Sequence, residues 1–328
     1  MVQLKYKNEV YAVPSGHTVL DTLLEQGHDI PNNCRAGACQ SCLMQVTKGN
    51  IPEQAQKGLK DSHKAKGYFL ACSCIPEEDI DISLPDADQL RVTATVSQIE
   101  SLSEDVMELK IKTAEPYEYH AGQYVTLWRD EHTGRTYSLA SLPSSDDTLN
   151  FQIKLIPGGV ISSWVHDELQ VGDSVSIQGP AGDCFYTPGN AQQNLLLIGT
   201  GTGLSPLYGI VRDALDSGHT GDIHLFHGAL TPAGLYLHDK LVALEQQYAN
   251  LYYHPCVLHA EENMPDNIVA GDISKIALEI VPDPSGWRAF LCGDQGLVNS
   301  LRRQIFLAGC SMKDIYSDPF IFYQGPSD

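Results

Sequence analysis

The chain has 328 residues, of which 42% are hydrophobic, so it can bury two or three cores and is too long for one small domain. Its formal net charge of −20 leaves no basic stripe that could neutralise phosphates, which argues against nucleic acid as a partner. The first residues lack the apolar region of a signal peptide, and no apolar stretch reaches the roughly 20 residues of a membrane span, which predicts a cytoplasmic protein without a membrane partner.

The first 88 residues begin with a hairpin and a helix. Residues 1–13 alternate polar and apolar side chains in two short runs, which indicates two paired strands. In the stretch HTVLDTLLEQG, Thr18 is a possible helix cap, the apolar residues recur at helical spacing, and Gly27 is a stop signal. A proline and several acidic residues near residue 88 predict the end of this domain.

Four cysteines have the spacing of an iron–sulfur site. Cys34, Cys39 and Cys42 form a C-x4-C-x2-C motif, and Cys72 lies 30 positions beyond Cys42. Thiolates at this spacing fit a [2Fe-2S] cluster, whereas zinc ligands usually come as two close pairs. Cys74 is an alternative fourth ligand, but successive strand residues alternate faces, and the spacing favours Cys72. Nine cysteines without a signal peptide favour metal binding or burial over disulfides.

The string CRAGACQSC, with LACSC downstream, resembles the cluster loop of plant-type ferredoxins over about the first 85 residues. This resemblance implies a β-grasp ferredoxin domain over residues 1–88, with a [2Fe-2S] cluster held by Cys34, Cys39, Cys42 and Cys72. Gly37 is consistent with it, because a loop wrapped on an inorganic cluster needs unusual dihedrals and close backbone approach.

Residues 89–190 consist of short alternating segments separated by glycine and proline, which predict an antiparallel β-barrel. The string RTYSLAS lies among these segments. About twenty residues later, GGVISSWVHDEL begins a predicted helix whose free N–H groups could hold a diphosphate. Taken singly, these residues also fit an ordinary turn with a helix cap, and Arg135 fits a solvated cation over an aromatic ring.

Together these strings resemble the flavin-binding signature of the ferredoxin-NADP reductase superfamily, as does HAGQYVTL upstream. The resemblance implies bound FAD, although the residues alone do not separate FAD from FMN. It implies that Arg135 and Ser162 contact the pyrophosphate beside Gly158 and Gly159, that Tyr137 packs on the flavin, and that Ser138 approaches flavin N5.

Residues 191–328 alternate apolar strands with helices, which predicts a doubly wound parallel sheet. LLLIGTGTGLSPLYGIV has a glycine loop between strand and helix, but it lacks the G-x-G-x-x-G spacing, so the glycines could simply allow close packing. The loop resembles the pyridine-nucleotide loop of the same superfamily, and WRAFLCGDQGLV resembles its late strand, whose cysteine could also be a buried core residue. The residues implied are Gly199, Gly201, Thr202, Gly203, Cys292 and Gly293.

The stretch FHGALTPAGLYLHD has no basic residue before Lys240 that could bind a 2′-phosphate, which favours NADH over NADPH. Near the C-terminus, the resemblance implies that Asp318 and Phe320 act beside the flavin or nicotinamide, as catalytic residues with Ser138 and Cys292. Eight residues follow, including Phe322 and Tyr323, so the sequence leaves open which ring covers the flavin.

The order of the three domains predicts the function. NADH gives up two electrons as a hydride and a [2Fe-2S] cluster accepts one at a time, so a flavin between them is required. Over nearly its full length the chain resembles the NADH-dependent reductase components of bacterial multicomponent oxygenases, of the naphthalene and benzoate dioxygenase type. This implies a Rieske ferredoxin, a Rieske oxygenase or a diiron hydroxylase as acceptor.

Two other functions remain open: the same electron path serving another iron–sulfur enzyme, such as a deoxysugar dehydrase, or a redox sensor with slow turnover. The acidity of the chain has two interpretations as well. It either keeps the protein soluble or forms a negative face that attracts a basic protein partner.

Overall fold

The computed structural model describes residues 2–32, 34–85 and 90–320, apart from the side chain of Ser62. Three sheets lie within these residues, one in each predicted domain. The predicted boundary near residue 88 falls in 86–89, outside the described residues, and the boundary at 190 falls between the second and third sheets. Both boundaries stay predictions. In the described part of the chain, no helix has the length and apolar character needed to cross a membrane.

The first sheet has five strands in the order β2-β1-β5-β3-β4, and helix α1 contributes buried residues to its core. The predicted hairpin is confirmed, and so is the helix, because the Thr18 side chain accepts from the N–H of Asp21 while the Asp21 carboxylate accepts from Thr18 N–H. The elements are β1 (Gln3–Tyr6), β2 (Glu9–Ala12), α1 (Val19–Glu25), β3 (Leu43–Lys48), α2 (Asp61–Ala65), β4 (Tyr68–Leu70) and β5 (Ile80–Ser83).

The second sheet is antiparallel, with six strands in the order β10-β7-β6-β11-β8-β9. Its two edge strands approach each other, since Ala140 N–H donates to the carbonyl of Asn150 at 2.9 Å, and the sheet curls into the predicted barrel. The elements are β6 (Val92–Ser101), β7 (Val106–Thr113), β8 (Tyr124–Trp128), β9 (Gly134–Ser138), β10 (Leu149–Lys154), α3 (Val160–Asp167) and β11 (Ser174–Ala181).

The third sheet is parallel, with six strands in the order β15-β14-β13-β12-β16-β17. In this sheet, β12 lies in the middle, and β13, β14 and β15 follow it in order towards one edge. The chain then crosses back, and β16 and β17 lie on the other side of β12. Ligands of such sheets bind at the carboxyl ends of the two strands where the direction reverses, here β12 and β16. The elements are β12 (Leu195–Thr200), α4 (Leu204–Asp216), β13 (Ile223–Ala229), α5 (His238–Gln247), β14 (Leu251–Val257), β15 (Val269–Ala270), α6 (Ile273–Ile280), β16 (Arg288–Asp294), α7 (Gln295–Leu307) and β17 (Ile315–Phe320).

The barrel and the parallel sheet share a packed interface. Cys184 and Tyr186, which follow the last barrel strand, belong to the same buried cluster as Leu204 and Leu207 of α4. A side chain at Gly209 would bring its Cβ to 3.1 Å from the carbonyl oxygen of Leu139, so α4 lies directly on the barrel backbone. This close packing fixes the carboxyl ends of β12 and β16 relative to the barrel.

Candidate functional site

The cysteine loop, residues 34–42, connects α1 to β3 and turns its amide groups towards sulfur. The N–H groups of Ala36 and Cys39 donate to Cys34 Sγ at 3.4 and 3.3 Å. Arg35, Gly37 and Gln40 have φ angles of 48°, 74° and 57°, which side chains other than glycine rarely adopt. The loop therefore keeps an uncommon backbone conformation in which amide dipoles stabilise negative sulfur.

The four predicted ligands meet as two pairs. A hydrogen bond with Cys39 lowers the pKa of the Cys34 thiol to about 5, and one with Cys42 lowers the pKa of the Cys72 thiol to about 7. Each pair joins one buried sulfur residue, Cys39 or Cys42, to a partly exposed one. The chain thus brings together cysteines that are up to 38 positions apart in the sequence.

Cys74 lies elsewhere. Its side chain is fully buried in the core of the first domain, and burial raises the pKa of its thiol to about 12. Its carbonyl accepts a hydrogen bond from the N–H of Val19 at the start of α1. Cys72 rather than Cys74 therefore has the geometry of a fourth ligand.

Two pairs of thiols suit a two-iron cluster, in which each iron takes two cysteines. Zinc ligands usually come as two close pairs in the sequence, whereas here three of the four cysteines lie in one loop and the fourth lies 30 positions later. The donor set fits a [2Fe-2S] cluster. The assignment of Cys34, Cys39, Cys42 and Cys72 as its ligands stays a prediction.

Strand β8 contacts the cysteine loop, a contact that the sequence did not reveal. The Tyr124 hydroxyl donates to the carbonyl of Ala38 at 2.9 Å, and the Thr126 hydroxyl donates to the carbonyl of Cys39 at 3.4 Å. Tyr124 and Thr126 are two residues apart, so both side chains lie on one face of the strand. The alternation of QYVTL was the only signal of this shared face, and it does not say what the face contacts.

Ser138, at the end of β9, connects the barrel to the parallel sheet. Its hydroxyl donates to the Asp318 carboxylate at 3.1 Å, and its carbonyl accepts from the hydroxyl of Ser205 at the start of α4. Burial raises the pKa of Asp318 to about 6, although the bond from Ser138 lowers it. Asp318 pairs with Cys292 across β17 and β16, so three predicted site residues lie together.

The glycine loop after β12 packs against the end of β16. A Cβ at Gly203 would collide with the carbonyl oxygen of Cys292, and one at Gly293 would lie 2.9 Å from Thr200 Oγ1. A Cβ at Gly199 would lie 3.0 Å from the carbonyl oxygen of Gly203, whereas Gly201, with φ 53°, has open space beside it. These contacts place the loop at the point where the sheet changes direction.

Cys292 itself is buried, with its sulfur 3.6 Å from Cys184 Sγ. Burial raises the pKa of the Cys292 thiol well above its usual value. Its backbone borders the glycine loop while its side chain fills the core. Thr202, by contrast, is partly exposed in the loop.

The predicted diphosphate site forms one turn. Gly158 has φ 74° with open space around it, and Gly159 begins α3 without a side-chain cap, which leaves first-turn amides for an anion. Ser162 is buried, and its hydroxyl accepts from the N–H of Ile156 and contacts Gly159 O. An anion here would bind mainly to backbone N–H groups.

The remaining predicted residues lie on strands of the barrel and of the parallel sheet. Arg135 is partly exposed on β9 and donates to the carbonyl of Gly134, while Tyr137 is partly buried against the barrel core. Phe320 ends β17 and is partly exposed. Phe322 and Tyr323 lie outside the described residues. The open turn at Gly158 and the glycine loop at 199–203 fit a dinucleotide flavin and a nicotinamide nucleotide, and the individual roles stay predictions.

Tyr236 was not predicted to belong to the site. Its hydroxyl donates to Gln152 Oε1 of the barrel at 2.9 Å and lies 3.3 Å from the carbonyl oxygen of Gly201. It therefore ties the glycine loop to the barrel. The sequence shows Tyr236 only as one apolar position of a predicted helix.

Comparison with known families covers most of the chain. Residues 2–77 match the 2Fe-2S iron-sulfur cluster binding domain, residues 93–186 the oxidoreductase FAD-binding domain, and residues 197–303 the oxidoreductase NAD-binding domain. The chain is 33% identical over 312 residues to the ferredoxin–NAD(P)+ reductase component of the naphthalene 1,2-dioxygenase/salicylate 5-hydroxylase systems of a Ralstonia species, covering 93% of this chain and 94% of that protein. The chain belongs to this family of reductase components.

Other members of the reductase family agree along the whole chain. The reductase component of the Pseudomonas putida naphthalene 1,2-dioxygenase system is 30% identical over 319 residues, covering 95% of this chain and 96% of that one. The crystal structure of a cytochrome P450 reductase of Amycolatopsis superposes with a TM-score of 0.70 at 28% identity, covering 98% and 99% of the two chains. The predicted cofactors are confirmed: this reductase binds a [2Fe-2S] cluster and FAD and oxidises NADH.

Proposed function

We propose that this reductase supplies an oxygenase component with electrons from NADH, and that its direct acceptor is a Rieske-type ferredoxin or oxygenase. Reductase components of dioxygenase systems are the relatives that support a protein oxygenase as the partner. That oxygenase, rather than this reductase, determines which aromatic substrate the system oxidises. We also propose that the protein acts in the cytoplasm.

One pair of neighbouring residues carries the proposal. Tyr124 of β8 lies directly opposite Ser138 of β9. Tyr124 bonds to Ala38 of the cysteine loop, and Ser138 bonds to Asp318 beside the glycine loop. One cross-strand pair thus contacts both the cysteine loop and the strand beside the glycine loop, and its Cα atoms lie about 4.5–5.5 Å apart, as in any antiparallel sheet.

When bound, FAD accepts the two electrons of a hydride and releases them singly, and the cluster carries one electron. The residues of the chain position the nucleotide and the flavin and exclude water from the space between them. The glycine loop presents backbone to a nucleotide, Ser138 holds its hydroxyl proton towards Asp318, and the buried thiols of Cys184 and Cys292 keep the interface dry. A nucleophile or a strong general acid is not required for hydride transfer.

An anaerobic titration tests the electron path. NADH is added to the purified holoprotein while the absorbance of flavin and cluster is followed, and NADPH is the matched control. We expect uptake of about three electrons per chain from NADH, two by FAD and one by the cluster. Bleaching of the flavin without the cluster, or of neither, would contradict the proposed path.

The acceptor is tested separately by turnover. Rapid NADH-dependent reduction of cytochrome c indicates an electron-transfer enzyme, and slow reduction indicates a redox sensor. Rieske-type proteins encoded beside this reductase are then supplied as acceptors, with a plant-type ferredoxin as the control. Reduction of the plant-type protein alone would rule out a Rieske acceptor.

A further inference from the structure

The charge of this acidic reductase is distributed unevenly over its first domain. The chain carries 41 acidic and 21 basic residues, yet residues 57–66 contain Lys57, Lys60, Lys64 and Lys66 against Asp61 alone. All four lysines are exposed with the three domains in place. We call these four lysines the basic face.

Most of this positive charge is not neutralised locally. Lys64 forms an ion pair with Asp61 at 3.4 Å. Lys57, Lys60 and Lys66 have no carboxylate within ion-pair distance in the parts of the chain that the structure describes. Lys60 and Lys66 also lie close enough to His63 to help lower the pKa of its imidazole, after burial as the main cause. The four lysines therefore produce a local positive electrostatic potential.

The basic face is next to the cysteine loop. The Gln40 side-chain amide donates to the carbonyl of Gly58 at 3.4 Å, which joins the loop to the residue beside Lys57. The turn before the lysines, Glu53–Gln56, packs against the turn Ala71–Ser73 that carries Cys72. Helix α2, between Lys60 and Lys66, packs on β4. The lysines therefore lie on segments that pack beside the cysteine loop and beside the turn that bears Cys72.

The barrel contacts the cysteine loop at a different place, through Tyr124 and Thr126 on the carbonyls of Ala38 and Cys39. In the proposed electron path, electrons from the flavin enter through this contact. Gln40 and Cys72 are partly exposed among the described residues, and Gln40 bonds to Gly58 within the lysine segment. The barrel and the basic face therefore contact different residues of the loop.

The first domain also has an acidic run at residues 77–79. The Glu78 carboxylate accepts from Asn50, and the Asp79 carboxylate accepts from Gln3 N–H. Asn50 lies two residues beyond the end of β3, whereas Leu43, the first residue of that strand, follows the cysteine loop directly. The acidic run of residues 77–79 therefore lies at the end of β3 away from the loop.

We propose that the basic face is the docking site for the electron acceptor and that the acceptor presents an acidic surface there. The proposal rests on the proposed function, since it concerns the protein that receives the electrons. At 0.1 M salt the Debye length is about 10 Å, so a docking partner experiences the nearby lysines more than the distant carboxylates. The net charge of the chain would favour a basic partner, whereas the local charge beside the cysteine loop favours an acidic one.

Two acceptors with the same haem and opposite charge test the proposal. Native cytochrome c has a lysine-rich surface, and succinylation converts those lysines to carboxylates. Each ferric haem takes one electron, and each NADH supplies two. With the holoprotein, we expect reduction of succinylated cytochrome c to slow as salt is added. If the net charge of −20 governed docking, salt would accelerate it.

Charge reversal locates the effect. The variant Lys57→Glu/Lys60→Glu/Lys66→Glu is compared with Lys275→Glu/Arg302→Glu/Lys313→Glu, which makes the same change in net charge at exposed positions of the nucleotide domain. We expect the first variant to reduce succinylated cytochrome c about tenfold or more slowly at low salt, and native cytochrome c faster. The second variant should change both rates much less.

Equal effects of the two variants would overturn the proposal, because net charge alone would then explain them. NADH bleaching of flavin and cluster, recorded without any acceptor, reports the proposed function independently. Normal bleaching with no difference between variants refutes only the docking site. Failed bleaching in the unmodified protein refutes the electron path and the docking site with it.

Discussion

Folding raises the pKa of the Asp318 carboxyl group. Burial raises its pKa to about 6, so in the folded protein it keeps its proton at pH values where an unfolded aspartate, with a pKa near 4, has lost it. Between about pH 4 and pH 6 the native state binds more protons than the unfolded state. Stability contributed by this group therefore falls as the pH rises through that window.

Replacing Asp318 with Asn removes this penalty. We expect Asp318→Asn to raise the free energy of unfolding at pH 8 by roughly 1–3 kcal/mol and to change it little at pH 4. Urea denaturation at the two pH values measures the difference, with the exposed Asp266→Asn as the control. An equal effect at both pH values would show that ionisation of the buried Asp318 carboxyl group does not destabilise the folded protein.

Cys72 and Cys74 form a matched pair of thiols two residues apart. Cys72→Ser removes a thiol of the Cys42 pair, so we expect loss of the cluster absorbance and of cytochrome c reduction, while NADH oxidation by ferricyanide continues. Cys74→Ser places a hydroxyl in the core and should cost stability but retain the cluster. Visible absorbance of the two variants measures how much cluster each one holds. Loss of the cluster in Cys74→Ser but not in Cys72→Ser would show that Cys74 is the ligand.

The residue types at the site could be predicted from sequence, but their contacts could not. Cysteine spacing predicted the cluster because four thiolates within one short loop and one later turn have few other uses. Nothing local to Tyr124 indicates a bond to Ala38, and nothing local to Tyr236 indicates a bond to Gln152. Such contacts depend on how domains pack, which periodicity within one element does not encode.

At the scale of elements, strand and helix patterns predicted all three sheets, since each domain buries its own apolar face. Strand order and register needed the structure. The direction change between β12 and β16 brings the glycine loop beside Cys292, although almost ninety residues separate them. Only the parallel pairing of these strands explains why the two stretches act together.

Helix α4 is held to the barrel by a two-bond ion pair. Arg212 donates to both carboxylate oxygens of Asp146 at 2.8 and 2.9 Å, with about one fifth of each side chain exposed. Burial opposes ionisation of Asp146, but the bonds from Arg212 and from Leu142 N–H outweigh it and lower its pKa. This stability is present above the unfolded pKa near 4 and is lost as the pH falls through the lowered folded value.

Arg212→Gln should therefore destabilise the reductase by about 1–3 kcal/mol at pH 7, with a smaller difference below pH 4. Urea denaturation checks both values. The control is Lys112→Gln, which removes an exposed pair with Asp147 and should cost about 0–1 kcal/mol. If both substitutions lower the free energy of unfolding equally, the partly buried pair of Arg212 and Asp146 does not anchor the helix.

On the scale of the whole molecule, two hydroxyl contacts connect the first domain to the barrel. Tyr124→Phe/Thr126→Val removes both bonds to the cysteine loop, so we expect slower bleaching of the cluster, by roughly tenfold, with the rate of flavin bleaching unchanged. Stopped-flow absorbance separates the two rates. Tyr119→Phe, which loses a bond within the barrel, is the control, and its cluster rate should stay normal.

The placement of Cys74 also bears on how the cofactor is acquired. Its sulfur packs among the buried apolar side chains, and its carbonyl anchors α1, so the turn bearing Cys72 is supported from within the protein. Many small metal-binding domains fold only when the ion arrives, because they lack such a core. This domain has one, so we expect its apoprotein to fold before the cluster is inserted, with the free thiols of Cys42 and Cys72 already in contact.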